Sequence, residues 1–259
     1  MNQWLVLFNK EMTEMWRSRK WIWVPLVFVL LGISQPVTTY YLPDLLQAAG
    51  SLPEGAVIEI PMPTGAEVLA QTLSQFGMIG VLVLVLSIMG IVSSERQSGA
   101  AGLVLVKPVS FVSYITAKWA GAVTLTAVSF LAGFAASWYY THILIGSVAP
   151  SLFAGSLLLF GLWLVFVVTV AVMLSAWMNG NSGVAFLTIG SVLLLSVLTG
   201  LFNRAMNWSP GSLSGRASLV LADGGPGTQL PLALAVTLAA IAALLFAAVR
   251  LFRRKELLP

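Results

Sequence analysis

The sequence predicts an all-α polytopic membrane protein with six transmembrane helices, an amphipathic helix before them and a short cytoplasmic helix between the second and third spans. Three observations predict this class. Hydrophobic residues make up 58% of the 259 residues and charged residues only 8%, whereas soluble domains carry about 25% charged residues. Several uncharged intervals are long enough to cross a bilayer. The basic residues are gathered in short groups beside those intervals, which favours membrane topology signals over a nucleic-acid surface, so no nucleic-acid partner is expected.

Uncharged intervals locate the spans, because an ionised side chain at the bilayer centre is costly. A helix needs about 20 residues to cross about 30 Å of hydrocarbon. Four uncharged intervals are that long, at residues 21–43, 68–94, 119–203 and 224–249. The first, second and fourth each accommodate one helix, and the third accommodates several.

The basic groups fix the number of crossings. All but two of the 13 Lys and Arg residues fall in three groups, which the positive-inside rule places in the cytoplasm. The groups are Lys10, Arg17, Arg19 and Lys20; Arg96, Lys107 and Lys118; and Arg250, Arg253, Arg254 and Lys255. Arg204 and Arg216 are then outside, so residues 119–203 cross three times, with breaks near 141–150 and 179–182. A single transmembrane domain over residues 1–259 is expected, with both termini cytoplasmic and spans at about 21–42, 68–94, 111–140, 151–178, 183–203 and 229–250.

The first 20 residues form a charged, two-sided segment that does not fit a cleaved signal peptide, and the first span is expected to be an uncleaved anchor. Residues 2–19 place apolar side chains on one helical face and charged side chains on the other. The apolar set is Trp4, Leu5, Phe8, Met12, Met15 and Trp16, and the charged set is Lys10, Glu14 and Arg17. The pattern fits a helix on the cytoplasmic leaflet and also a helix whose apolar stripe packs on the protein.

The segments between spans carry turn signals. Residues 43–65 and 203–229 are rich in Gly, Pro or Ser, and neither is large enough for a folded domain. Thr64 and Glu67 form a capping-box pattern that predicts the start of the second helix. Residues 95–118 are the one substantial cytoplasmic loop, in which Pro108 is expected to end one short helix and begin the next, so that the third span starts from about Pro108 or Phe111.

Small residues recur at spacing four in two spans, which lets helix backbones approach closely in a membrane. Ser129, Gly133 and Ser137 do so in the third span. The sixth span has the stripe Ala235, Ala239, Ala243 and Ala247. Such stripes serve packing within one subunit or an interface between two subunits, and the pattern leaves both open.

The sequence lacks the residues of most catalytic and ion-coupled machinery. There is no cysteine and a single histidine, His142, at an outside turn, so no metal site is expected. No phosphate-binding loop is present, and no span carries a charge deep inside that would act as a general base or an ion-coupling carboxylate. The chain is therefore not expected to be an enzyme, and energy for any transport is expected to come from another subunit.

The loop between spans two and three carries a family resemblance. It reads Glu95-Arg96-Gln97-Ser98-Gly99, then Leu103-Val104-Leu105-Val106-Lys107-Pro108-Val109-Ser110, with Lys118 at the start of a span. Together with Asn9-Lys10-Glu11, Trp16-Arg17-Ser18 and the six-span layout, this resembles the membrane subunit of ABC-2 type transporters along nearly the full chain. Where the family usually shows Thr-Leu after the glycine and a basic residue after Pro-Val-Ser, this chain has Ala100-Ala101 and Phe111. The coupling surface is therefore expected to be less charged.

The resemblance implies a permease subunit in the plasma membrane of a prokaryote. It would pair with a second permease, identical or different, and bind two cytoplasmic ATPase subunits that hold ATP and Mg²⁺. Residues 2–19 would be a connecting helix at the membrane lipid, with Lys10, Glu11, Trp16 and Arg17. About 96–106 would be a coupling helix that seats in the ATPase. The implied coupling residues are Glu95, Arg96, Gly99, Leu103, Pro108 and Lys118.

Simpler interpretations stand beside these roles. Glu95 and Arg96 also fit a charge pair that anchors the depth of a span end. Gly99 also fits a site of close backbone approach, and Pro108 a helix stop. The absence of buried charge favours a hydrophobic or amphipathic cargo, exported between two six-helix bundles. The rival functions are an ATP-independent channel, carrier or membrane-assembly factor, and a lipid-modifying membrane enzyme.

Overall fold

The computed structural model describes residues 3–48, 63–99 and 109–256. These residues are mostly helical, with no strand among them, and include six helices long and apolar enough to cross a membrane, as predicted. The spans are Lys20–Pro43, Gly65–Gln97, Phe111–Leu144, Pro150–Trp177, Asn181–Leu201 and Leu230–Arg254. Leu103, Pro108 and most of the expected coupling helix lie outside the described residues.

Eleven α-helices and one π-helical segment make up the described chain, numbered here in chain order. They are α1 (Gln3–Arg17), α2 (Lys20–Ala48), α3 (Gly65–Gln75), the π segment Phe76–Gly80, α4 (Val81–Ile88), α5 (Ser93–Gln97), α6 (Phe111–Leu144), α7 (Pro150–Trp177), α8 (Asn181–Leu201), α9 (Asn203–Met206), α10 (Ser212–Asp223) and α11 (Leu230–Glu256). The breaks between α6 and α7 and between α7 and α8 fall within or beside the two regions where polar residues, Gly and Pro interrupt the apolar run.

The second span is built from several pieces rather than one helix. It begins with the predicted capping box, in which Thr64 accepts from the Glu67 backbone and Glu67 accepts from the Thr64 backbone. α3 continues through the π segment into α4, and the helix is interrupted at residues 89–92 before α5. The Ser175 hydroxyl on α7 occupies this interruption: it accepts from the backbone N–H groups of Val92 and Ser93, each at 3.1 Å. The freed donors are thereby satisfied.

α2 and α6 cross at backbone contact distance. A Cβ on Gly32 would lie 2.0 Å from the carbonyl oxygen of Gly133, and a Cβ on Gly133 would lie 2.5 Å from the carbonyl oxygen of Phe28. Ser129 and Ser137 on the same face of α6 are fully buried, and the Ser137 hydroxyl lies 2.9 Å from that of Thr72 on α3. The small-residue stripe of the third span thus packs inside this subunit.

The alanine stripe of the sixth span faces away from the bundle. Ala235, Ala239 and Ala243 are exposed on α11, while Ala233, Thr237 and Ile241 face the bundle. α7 is the most buried span and forms the centre of the bundle. Its Phe160 ring lies 5.2 Å from the ring of Phe130 on α6.

Residues 203–229 are more structured than their composition indicated. α10 turns back against the bundle and buries Leu213, Ala217, Val220 and Leu221. It packs on α3 and α7, where a Cβ on Gly155 would lie 3.1 Å from Val220 Cγ1. The apolar residues recur at helical spacing, but the surrounding Gly and Ser residues favoured a loop in the sequence.

Candidate functional site

Four charged side chains from three helices meet beside one tyrosine, in a group called here the charge cluster: Lys10, Glu11, Glu95, Lys118 and Tyr114. The Lys118 ammonium lies 2.9 Å from Glu11 Oε1 and 3.0 Å from Glu95 Oε1. The Tyr114 hydroxyl donates to Glu95 Oε2 at 2.5 Å. Lys10 donates to Glu95 and lies 3.3 Å from Glu11 Oε1. The cluster therefore joins α1, α5 and α6 through two lysines and two glutamates of balanced charge.

Three of the four charges are withdrawn from solvent. Lys118 is 1% exposed, Glu11 4% and Glu95 8%. Burial of an unpaired charge costs several kcal/mol, so these groups are stable in the folded protein because each has an opposite charge and hydrogen bonds. Lys10 is more exposed, and although burial opposes its charge, its hydrogen bond to Glu95 and the nearby carboxylates raise the pKa of Lys10 above its ordinary value.

The inner face of α1 differs from the predicted apolar stripe. Leu7, Glu11 and Met15, one turn apart from each other, are its buried residues. Leu5 is 50% exposed and Trp16 65%. The sequence pattern placed Leu5 and Trp16 on the same apolar face as Met12 and Met15 because all four are apolar, and it did not identify Glu11 as a buried residue.

Gly121 makes room for α1 on α6. A Cβ at this position would lie 3.2 Å from Met12 Cε and 3.4 Å from Glu11 Cβ. Trp4 adds a hydrogen bond across the same contact, donating from Nε1 to the hydroxyl of Thr116 at 3.1 Å. Most of the α1 apolar residues therefore pack on the protein, as one of the two interpretations of the pattern had it.

α5 is fastened to the end of α7 by its own polar side chains. Arg96 donates to the carbonyl oxygens of Ala176, at 2.9 Å, and of Met178. These are carbonyls at a helix end, which lack intrahelical partners, and a guanidinium is well placed to satisfy them. Gln97 donates to the carbonyl of Asn179 in the same turn. α5 is thus fixed both to α7 and, through Glu95, to the charge cluster.

Gly99 ends this segment for a conformational reason. Its φ is +74°, in the left-handed region that favours glycine, and nothing lies within 4 Å of where a Cβ would be. Among the described residues, no close backbone approach is present at Gly99. Glycine adopts this conformation without the strain that a side chain would add.

The structure brings together predicted residues that the sequence had assigned to separate elements. Lys10 and Glu11, assigned to the connecting helix, meet Glu95 and Lys118, assigned to coupling, while Trp16 and Arg17 point away and are exposed. Lys118 lies two turns after the start of α6, near the beginning of the third span as expected, but its side chain is buried against the protein rather than exposed. Sequence reasoning missed Tyr114, although its position one turn before Lys118 places both side chains on one helical face.

The three carboxylates of this region already share a cation from the chain itself. Oxygen atoms of Glu11, Glu14 and Glu95 lie within 4.8 Å of one another. The Lys10 ammonium contacts all three, at 3.2 Å from Glu14 Oε2. The group serves to hold helices together, because each carboxylate has an ammonium partner.

Comparison with known proteins identifies the family of this six-span chain. The family described as "ABC-2 family transporter protein" matches residues 5–257. The chain is also 34% identical over 252 residues to the "Uncharacterized transmembrane protein YxlG" of Bacillus subtilis (strain 168), covering 97% of this chain and 98% of that protein. This six-span membrane protein belongs to the ABC-2 transporter family.

Proposed function

We propose that the chain is the permease subunit of an ATP-driven ABC transporter, moved by a separate cytoplasmic ATPase that holds ATP and Mg²⁺. The charge cluster is the observation that carries this proposal. It ties α1, α5 and α6 together at the end of the bundle where the family resemblance places coupling. A displacement of one of these elements is shared by the others, because separating them would leave buried charges unpaired.

The cluster end is proposed to face the cytoplasm. The basic residues of α1 lie at this end, and so does the basic carboxyl-terminal part of α11, since the Phe252 ring stacks on Tyr114 at 5.1 Å. Three basic groups on one side agree with the positive-inside rule.

Transmission from the ATPase is proposed to begin at the segment that follows α5, with its glycine turn at Gly99. ATP closes the two ATPase subunits and shifts this segment. Arg96 passes the shift to the end of α7, and Glu95 passes it to α1 and α6. ATP drives the change only if it binds one arrangement of the complex better than the other.

The cargo route is proposed to lie between two permease bundles, formed by two copies of this chain or by this chain and a related one. Outside the charge cluster, the surfaces of the spans are largely apolar, which suits export of a hydrophobic or amphipathic molecule. The rival function, an ATP-independent channel, carrier or membrane-assembly factor, needs no partner at the cluster end.

Co-expression with the ABC ATPases of the source genome, beginning with any encoded beside this chain, tests the proposal. We expect a stable complex in lipid nanodiscs with vanadate-sensitive ATP hydrolysis. Gly99→Asp and Leu103→Asp are expected to weaken assembly. Ser147→Asp, at an exposed serine in the turn between α6 and α7, is the control and should leave assembly unchanged. Failure of every ATPase to associate, or transport by the purified chain alone, would favour the rival.

A further inference from the structure

A buried arginine lies at the opposite end of the bundle, away from the charge cluster. Arg216 on α10 is 4% exposed. It is held at a part of the fold where α7 begins and α8 ends, since α10 packs near Gly155 and the arginine contacts Asn207, just beyond α8. No role in coupling accounts for a buried cation at this end.

The partners of Arg216 are all neutral. Its guanidinium donates to the carbonyl of Pro226 at 2.8 Å, to the carbonyl of Asn207 at 3.0 Å and to the hydroxyl of Ser212 at 3.3 Å. No carboxylate of residues 3–48, 63–99 or 109–256 whose side chain is described lies within 4.0 Å of it. Burial lowers the pKa of Arg216, yet a guanidinium remains protonated in proteins. Among the side chains that the structure describes, the positive charge of Arg216 therefore has no anionic partner.

Arg216 lines a cavity of about 470 Å³. The other walls are mostly small or polar and include Ser196, Thr199, Asn207, Ser214 and Thr228. This size is within the range of about 300–1,000 Å³ that holds small ligands. A guanidinium has five N–H donors, of which the contacts above use three, so donors remain for an oxyanion.

A second cavity of about 290 Å³ adjoins the first and shares Ser196, Ser214 and Gly215 with it. Its walls are largely apolar and include Leu73, Met78, Phe160, Trp163 and Val192. The two cavities together combine a fixed positive charge and polar walls with an adjoining apolar space between α3, α7, α8 and α10.

We propose that these two cavities form one binding site for an amphipathic anion, whose phosphate or carboxylate group is bound by Arg216 and whose apolar chain lies in the second cavity. Arg216 could bind the phosphate group of a lipid-like molecule or free phosphate. The adjoining apolar cavity favours the lipid-like molecule, because free phosphate would leave that cavity empty. A role of this site in binding the exported cargo rests on the proposed function. Binding of the anion itself requires no ATPase.

Saturation binding of radiolabelled dodecyl phosphate to the purified full chain in a neutral maltoside detergent tests the site. We expect one saturable site per chain. Dodecylphosphocholine has the same tail, but its choline cation offsets the charge of its phosphate. It should therefore compete at least about tenfold more weakly for a site that binds a net anion. Inorganic phosphate should compete poorly because it lacks the tail. Equal competition by inorganic phosphate would overturn the amphiphile assignment.

Arg216→Gln should weaken binding of dodecyl phosphate by about tenfold or more, and Arg216→Lys, which keeps the charge, should weaken it less. Arg253→Gln, an exposed arginine of α11, is the control for loss of one positive charge. Equal affinity in wild type and Arg216→Gln would contradict the proposal and leave Arg216 a structural link between α10 and the turn before α11.

A second variant keeps the test informative should Arg216 variants fail to fold. Gly215 lines both cavities, and nothing lies within 4 Å of where its Cβ would be. Gly215→Leu should therefore fold, fill the shared wall and abolish binding with Arg216 intact. Gly190→Leu, at an equally open glycine of α8 that lines neither cavity, should bind as wild type. Undiminished binding by Gly215→Leu would overturn the proposed location.

An acid of the chain itself is the remaining rival for Arg216. The double variant Glu54→Gln/Glu59→Gln removes two acids of the segment before α3. Unchanged affinity for dodecyl phosphate supports an external anion. Markedly tighter binding in this variant would mean that a carboxylate of the chain competes for the arginine, which contradicts the proposal. None of these results depends on whether an ATPase associates, so the two proposals fail separately.

Discussion

The ammonium of Lys118 lies 2.9 Å from a carboxylate oxygen of Glu11, a residue 107 positions earlier in the chain. Both side chains are buried, and Lys118 also lies 3.0 Å from Glu95. One lysine thus joins the amino-terminal helix α1 and the end of the second span to the third span. A contact between such distant segments fixes the position of α1 more firmly than its apolar face alone would do.

Lys118→Met is expected to destabilise the protein strongly. It deprives the buried Glu11 carboxylate of its nearest ammonium group, and truncating one partner of a buried ion pair costs about 3–5 kcal/mol. The loss should appear as a lower free energy of unfolding in mixed neutral-detergent and SDS micelles. A change below about 1 kcal/mol would show that the pair contributes little.

The double variant Glu11→Gln/Lys118→Met is the control for that interpretation. It removes both partners, while Glu95 keeps Lys10 and the Tyr114 hydroxyl. We expect the double variant to be more stable than Lys118→Met alone, with a coupling energy of about 1–3 kcal/mol between the two positions. Simple additivity would contradict a direct interaction.

Gly133→Ala is expected to disrupt the crossing of α2 and α6. The added methyl would lie 2.5 Å from the carbonyl oxygen of Phe28, which is backbone and cannot rotate away. Overpacking of this kind costs about 1–3 kcal/mol. Thermal unfolding of the purified variant in detergent measures it. Gly190→Ala, which meets nothing within 4 Å, should retain wild-type stability, and an equal loss in both variants would contradict the account.

Gly99→Ala is expected to strain the turn after α5, because alanine adopts a φ of +74° only at a cost of about 1–2 kcal/mol. Asparagine tolerates this conformation better than alanine, so Gly99→Asn should strain the turn less than Gly99→Ala. In the complex with the ATPase, vanadate-sensitive hydrolysis should fall in the order wild type, Asn variant, Ala variant. Equal activity in all three would separate the turn from coupling.

Single cysteines report the orientation of the bundle, since the chain has none of its own. Ser147→Cys lies in the exposed turn between α6 and α7, and Ser98→Cys lies exposed after α5 at the other end. An impermeant thiol reagent added to intact cells should label Ser147→Cys only. Labelling of Ser98→Cys from outside would reverse the proposed orientation.

The six spans were predictable from sequence because the cost of charge in lipid is large and leaves long uncharged intervals. The capping box at Thr64 was predictable because it depends on local residues only. The charge cluster was not, since Glu11 and Lys118 meet only after α1 has folded back on α6, and no local pattern records that contact.

α10 shows a different limit of sequence reasoning. Its Gly and Ser residues resemble those of a loop, but Leu213, Ala217 and Val220 gain enough burial against α3 and α7 to hold a helix. The same packing buries Arg216, which its charge had placed in an outside loop. Tertiary packing outweighs local composition in both cases.

Double electron–electron resonance spectroscopy on the assembled complex tests the central claim most directly. Nitroxide labels on Ser147→Cys in both permease chains report the distance between the outer ends of the two bundles. We predict that trapping the ATPase with ATP and vanadate shifts this distance in the wild-type complex, and that Lys118→Met complexes which still assemble and hydrolyse ATP show no shift. The same shift in both complexes would contradict transmission through the charge cluster, and no shift in the wild type would contradict an ATP-driven permease.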